Sequence, residues 1–127
     1  MGDLHLGLSK GSPIFHDIAI KYAEWVDVEC RKRNIQQIWQ VGDWYHSRTA
    51  IDLPTLHCSH KILNILSPRL ITIIPGNHDV WLNDDCEVNS LSLIKGHTNV
   101  TIYDRPRLSV NGEVFFAPWA TKLEEIQ

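Results

Sequence analysis

Phe15, Ile18, Ala19, Tyr22, Ala23, Val26 and Cys30 recur at intervals of three and four, so residues 14–33 read as an amphipathic helix. The short apolar run from Ile35 to Val41 ends at Gly42-Asp43 and reads as a buried strand. Asp52 and Pro54 have the chemistry of a helix start. Leu56, Ile62, Leu63 and Leu66 supply the apolar face of that helix, and Pro68 closes it. Leu70-Ile71-Thr72-Ile73-Ile74 is rich in β-branched residues, is bounded by Pro75-Gly76 and reads as a second buried strand.

Further on, Ser90 to Lys95 is patterned as a short helix stopped by Gly96, and Val100 to Tyr103 as a strand. Leu108-Ser109-Val110 and Val114-Phe115-Phe116 flank Asn111-Gly112, a strong hairpin signal. Helices alternate with strands, which predicts an α/β class with a largely parallel sheet. Neither repeat nor linker interrupts the 127 residues, so residues 1–127 are expected to form one domain.

Composition narrows the function. At 43% hydrophobic and 21% charged, the chain is of globular type and not of disordered type. A net charge of −3 excludes a bulk basic footprint for nucleic acid, so any nucleic-acid chemistry must come from a local site. No apolar run approaches the roughly 20 residues that span a bilayer. The first residues lack an export pattern, which points to the cytoplasm. Gly2 does not open a myristoylation motif, because Leu6 stands where Ser or Thr is needed. Cys30, Cys58 and Cys86 are odd in number and far apart; they read as reduced, buried thiols.

Three segments carry polar residues that a core does not require. They are Asp3-Leu4-His5, Gly42-Asp43-Trp44-Tyr45-His46 and Gly76-Asn77-His78-Asp79. The second and third follow predicted strands directly. Loops at the carboxyl ends of strands in an open α/β sheet converge on one crevice. Asp3, Asp43 and Asn77, separated by 40 and 34 positions, can therefore meet in space. Carboxylate, imidazole and amide oxygen together suit Mn²⁺, Fe or Zn²⁺ better than Mg²⁺. An Asp can bridge two ions, and two ions about 3.5–4 Å apart can activate a water and clamp a phosphate for in-line displacement.

Asp-x-His, Gly-Asp-x-x-His and Gly-Asn-His-Asp, in this order, resemble the opening motifs of the calcineurin-like metallophosphoesterases. Gly2-Asp3-Leu4-His5-Leu6-Gly7, Gly42-Asp43-Trp44-Tyr45-His46-Ser47-Arg48 and the late Val114-Phe115-Phe116-Ala117-Pro118-Trp119 are similar to the nuclease subunit of SbcCD/Mre-Rad-type double-strand-break repair complexes, phage recombination endonucleases included. The resemblance implies a sandwich of two mixed β-sheets flanked by helices. It implies two divalent ions, Mn²⁺ first among candidates. Asp3 and His5 would hold the first ion, Asp43 would bridge both, and Asn77 would bind the second. His78 would face the scissile phosphate, with Asp79 orienting it. His46 would touch substrate beside the site, and Arg48 would pair with a phosphate. DNA, an ABC-type ATPase subunit and a second copy are the implied partners. The implied activity is exo- or endonucleolytic hydrolysis of DNA in recombination and break repair.

The resemblance also implies what is missing. The family completes its site with a further His and a Gly-His-x-His motif, and nothing after Trp119 supplies them. Gly96-His97-Thr98-Asn99 lacks the second His and precedes the late hairpin. The expectation is a domain incomplete at its C-terminus and without its first strand, which leaves the Asp3 loop poorly anchored. Two alternatives stay open: a general phosphatase or cyclic-nucleotide phosphodiesterase of the same superfamily, and a folded piece without turnover.

Taken singly, each segment also reads as an ordinary polar turn, and Pro75-Gly76-Asn77 is natural turn chemistry. His57 and His60, one helical turn apart with no third ligand close in sequence, read as surface histidines, and His16 as solvent-facing. Trp25 and Trp39 read as packing residues. Trp44, Tyr45 and Trp81 adjoin the motifs, with substrate contact as the alternative to packing.

Overall fold

The computed structural model describes residues 1–126 and is of mixed α/β type. After a short left-handed turn at Leu8–Gly11 come α1 (Pro13–Lys32), β1 (Gln37–Gln40), α2 (Leu53–Leu66) and β2 (Leu70–Ile73). A hairpin of β3 (Val80–Leu82) and β4 (Asp85–Asn89) follows, then a 3₁₀ turn at Ser90–Leu93 and β5 (Val100–Ile102). β6 (Arg107–Leu108) and β7 (Phe115–Phe116) form the late hairpin. Among the described residues no helix is long and apolar enough to cross a membrane.

β1, β2 and β5 pair in that order and all in parallel. Gln37 faces Leu70 and Gln40 faces Ile73 across the first pair. α2 is the crossover between β1 and β2, and it packs on α1. Asp52 caps α2, its Oδ1 accepting the Thr55 amide at 2.7 Å. Ala19, Ala23, Val26 and Cys30 of α1 and Cys58, Ile62, Leu63 and Leu66 of α2 meet Ile38, Ile71 and Ile73 of the sheet in one core. The three cysteines are buried and unpaired with one another.

Two expectations need correction. β1 and β2 are not buried on both faces: burial alternates, with Ile38, Gln40, Ile71 and Ile73 inward and Gln37, Trp39 and Leu70 outward. Alternation arises because both helices lie on one face, while the other faces the late hairpin, where the Phe116 ring meets Trp39 and Tyr103 edge-on. α1 likewise turns Ala19, Ala23, Val26 and Cys30 to the core and leaves Ile18 and Tyr22 outward.

The first six residues are tied down, contrary to the expected loose loop. The Met1 amino group donates to the Trp39 carbonyl at 2.7 Å, and the Val41 amide donates back to Met1 at 2.9 Å. The amides of Asp3, His5 and Leu6 donate to the carbonyls of Gly42, Asp43 and Trp44, and the His46 amide donates to Leu6. The segment therefore runs alongside the chain leaving β1, with a parallel bridge between Leu6 and Tyr45.

Arg69 closes the opposite end. Its guanidinium is 2.6 Å from Asp27 of α1 and donates to the carbonyls of Ile35 and Leu66. The Arg69 hydrogen bond holds the Asp27 carboxyl below the usual carboxylate range against the opposing effect of burial, and Arg31 adds to the lowering. Arg69→Ala leaves the Asp27 carboxylate and the carbonyls of Asp27, Ile35 and Leu66 without this partner and should cost about 3 kcal/mol in denaturant unfolding. Because Asp27 is more acidic folded than unfolded, its contribution is present above pH ~4 and fades as pH falls through the lowered folded value. Unfolding midpoints of the variant and the parent should therefore converge in acid; a constant gap down to pH 2 would remove Asp27 from the account.

Candidate metal centre

The loops that leave β1 and β2 touch backbone to backbone. A Cβ on Gly42 would lie 2.7 Å from the Gly76 Cα, and a Cβ on Gly76 would collide with Asp43. Gly42 also has φ +104, which disfavours any side chain there. Two glycines thus let the loops approach closely enough for their next side chains to share a site.

Asp79 fastens that contact. Its buried carboxylate accepts the amides of Trp44 and Gly76 on Oδ2, at 3.2 and 3.0 Å, and that of Tyr45 on Oδ1, at 3.0 Å. Burial pushes the carboxyl above its ordinary range against the pull of the three amides, and the nearby Asp43 charge adds to the rise. The expected role of orienting His78 is not what Asp79 does. The His46 carbonyl does that, 2.8 Å from the His78 Nδ1. An acceptor there fixes the proton on Nδ1 and leaves the Nε2 lone pair free.

Asp43 is buried, and its Oδ1 accepts the His78 amide at 2.9 Å. Its Oδ2 is 3.6 Å from the His5 Nε2, which is also 4.0 Å from Asp3 Oδ1. Asp3, His5 and Asp43 all have φ between 45 and 53°, the left-handed region that non-glycine residues seldom occupy. Three of the expected site residues therefore carry backbone strain of order 1 kcal/mol each.

The rings of His5, His46 and His78 pack against one another. Centroid separations are 5.5 Å for His5–His46, 4.8 Å for His5–His78 and 5.2 Å for His46–His78. Ligand atoms fall into two groups, each within 4.8 Å: His5, His46 and His78, and Asp3, His5 and Asp43. The Nδ1 atoms of His5 and His46 are buried without a hydrogen-bond partner. Leaving such nitrogens unpaired costs roughly 1–3 kcal/mol each. Unpaired imidazole nitrogens beside two carboxylates fit divalent cations of the Mn²⁺, Fe or Zn²⁺ type.

The other expected residues divide. Asn77 precedes His78 in the same turn and is half-buried. Arg48 reaches away to the β3–β4 turn, where Nη1 donates to Asn83 at 2.6 Å. Trp44 and Tyr45 are wholly buried, so they pack rather than meet substrate. Both polar tips end on Ser59 of α2, at 2.8 and 3.0 Å, and burial pushes the Tyr45 phenol up to about 12. Trp81 is exposed on β3. His16 is buried against Thr55 at 3.1 Å, not solvent-facing. Sequence reasoning missed Ser59 and the His46 carbonyl, and it placed His46 beside the site, where its ring joins those of His5 and His78. The Ser59 contact has no motif, whereas Gly-Asp-x-x-His already carried His46.

Comparison of the chain with protein-family models gives no match, and comparison with curated proteins gives none either.

Burial lowers the His46 pKa first, and the neighbouring His78 and His5 lower it further. In metal-free protein the His46 ring should therefore titrate below pH ~6.5 by NMR. His78→Gln should move the midpoint part of the way back, because burial remains; an unmoved midpoint would show that the imidazoles do not sense one another.

Proposed function

We propose that this chain carries the ion-binding loops of a two-metal phosphoesterase. Within that class we assign it to the calcineurin-like superfamily and to its break-repair nuclease subunits, with DNA phosphodiesters as substrate and Mn²⁺ as the ion. The observation that carries the reading is the convergence of Asp3, His5, Asp43, His46 and His78 from three loops far apart in sequence. A structural core has no use for two carboxylates and three imidazoles in contact.

Asp3, His5, Asp43 and Asn77 are the residues we assign to hold the ions, with Asp43 between them. Divalent ions there supply Lewis-acid polarisation of a phosphoryl group and a more acidic water. The chain's own contribution is to fix that arrangement. Asp79 locks the two loops together, and the His46 carbonyl holds the His78 ring by Nδ1, leaving Nε2 as the nitrogen open to a phosphate. From there His78 can hydrogen-bond a phosphate oxygen or protonate a departing one.

The finer architecture we propose is a two-sheet sandwich, with the β6–β7 hairpin beginning the second layer over the open face of β1 and β2. DNA, a second copy and an ABC-type ATPase subunit are the partners this assignment brings with it.

Mn²⁺ titration followed by calorimetry separates the roles. Asp43→Ala should weaken binding by at least about tenfold, because it removes the carboxylate that serves both ions. In a protein that carries the full two-ion shell, His78→Ala should leave Mn²⁺ affinity within about threefold and lower hydrolysis of a labelled DNA duplex by about 10²–10⁴-fold. A large loss of affinity in His78→Ala would make that imidazole a ligand instead. Asp3, His5, Asp43 and Asn77 fill roughly half of a two-ion shell, so hydrolysis by the 127-residue chain should itself be slow. Cleavage of a small phosphomonoester but not of DNA would overturn the nuclease assignment.

A further inference from the structure

His60 and His97 lie 37 positions apart, and the structure brings their rings together away from the centre described above. The His60 Nδ1 and the His97 Nε2 are in direct contact. The ring centroids are 4.7 Å apart with planes 25° from parallel. At that separation, touching nitrogens must lie near the line of centres, so the rings meet edge to edge and not face over face. Each nitrogen therefore aims its proton or lone pair at the other.

Only one proton fits between two such nitrogens. With one proton the pair is a hydrogen bond; with both lone pairs free it is a two-toothed chelate. Both rings are half-buried and held from behind. His60 stands on α2, and the His97 backbone is fixed by its amide donating to Ile94 and its carbonyl accepting the Val100 amide, each at 3.1 Å. Burial, followed by the neighbouring His60, lowers the His97 pKa and so favours the neutral, ligating form.

We propose that His60 and His97 form a second metal site, taking a borderline divalent ion of the Zn²⁺, Ni²⁺ or Cu²⁺ class. Imidazole nitrogens suit those ions and not Mg²⁺ or Ca²⁺. Tetrahedral coordination with nitrogens about 2.0–2.1 Å from the ion needs the two nitrogens to open to about 3.3 Å and both rings to turn until their lone pairs converge on the ion. Among the described residues no third His, Cys, Asp or Glu ligand atom joins the pair within 4.8 Å, so water completes the shell. His57 is exposed one turn earlier on α2 and lies outside that reach. The ion fastens α2 to the turn that feeds β5, and it does so independently of the Asp43 cluster.

Zn²⁺ is the probe, and the imidazole NMR signals of the full chain are the readout. In the Asp43→Ala protein, Zn²⁺ should shift the His60 and His97 rings together along one saturation curve, whatever the His5, His46 and His78 rings take up. His97→Gln should abolish the His60 shift, His60→Gln should abolish the His97 shift, and either should weaken that step by at least about tenfold. The two variants check one another against misfolding, as does an unchanged amide spectrum away from the pair. The proposal is overturned if both rings stay unmoved at millimolar Zn²⁺, or if one ring still responds fully after the other is replaced. Loss of Mn²⁺ binding in Asp43→Ala bears on the phosphoesterase reading alone.

Discussion

The candidate centre depends on one buried carboxylate. Asp79 holds the amides of Trp44, Tyr45 and Gly76, and so binds the loop after β1 to the loop after β2. The two glycines offer no side chains to pack, so that clamp, with the His78 amide on Asp43 and the Ile74 amide on the Gln40 carbonyl, holds the Gly42–Gly76 contact shut. The candidate ligands ride on this junction. Asp43 is next to Gly42, His78 is next to Asp79, and their own hydrogen bond is a by-product of the closed loops. The first six residues add the third wall by pairing with the backbone from Trp39 to His46.

Support extends inward from the junction. Trp44 and Tyr45 drive their side chains into the core between the sheet and α2, and Ser59 receives both polar tips. The two residues between Asp43 and His46 thus act as a wedge, with a ligand candidate at either end. A loop anchored this way forgoes the freedom that loops usually have, which suits groups that must keep a fixed geometry. The left-handed backbone at Asp3, His5 and Asp43 has the same origin: the surrounding hydrogen bonds outweigh the local preference.

Much of the fold was legible. Helical periodicity gave α1 and α2 within a residue or so, Asp52 and Pro54 marked the start of α2, and Asn111-Gly112 marked the late hairpin. The three site segments could be picked out because polar residues followed apolar strand runs. What failed were inferences about surroundings. Leu70 to Ile74 looks buried on both faces, but whether a face is covered depends on where distant elements land. His16 appeared exposed because nothing nearby in sequence announces Thr55 as its partner. The β3–β4 hairpin escaped because Asn83-Asp84 is an irregular turn with a register shift beside it. Asp79 was matched to its neighbour His78, whereas its geometry favours amides 34 and 35 positions away.

The distance in sequence between the loops has a consequence for how the protein reaches its native state. Asp43 and His78 come into register only after β1 and β2 have paired in parallel across the α2 crossover. Closing so long a connection is a slow event in folding, and a slip of one residue would turn Ile38 and Ile71 out of the core. The cluster as seen here needs that pairing in place, so an ion that prefers it would favour the native state. Such an ion acts as a folding ligand: at a hundred times its dissociation constant it adds about 2.7 kcal/mol to stability through mass action. Under the proposed metal binding, metal supply and the yield of folded protein would be linked, with the loops as the point of contact between them.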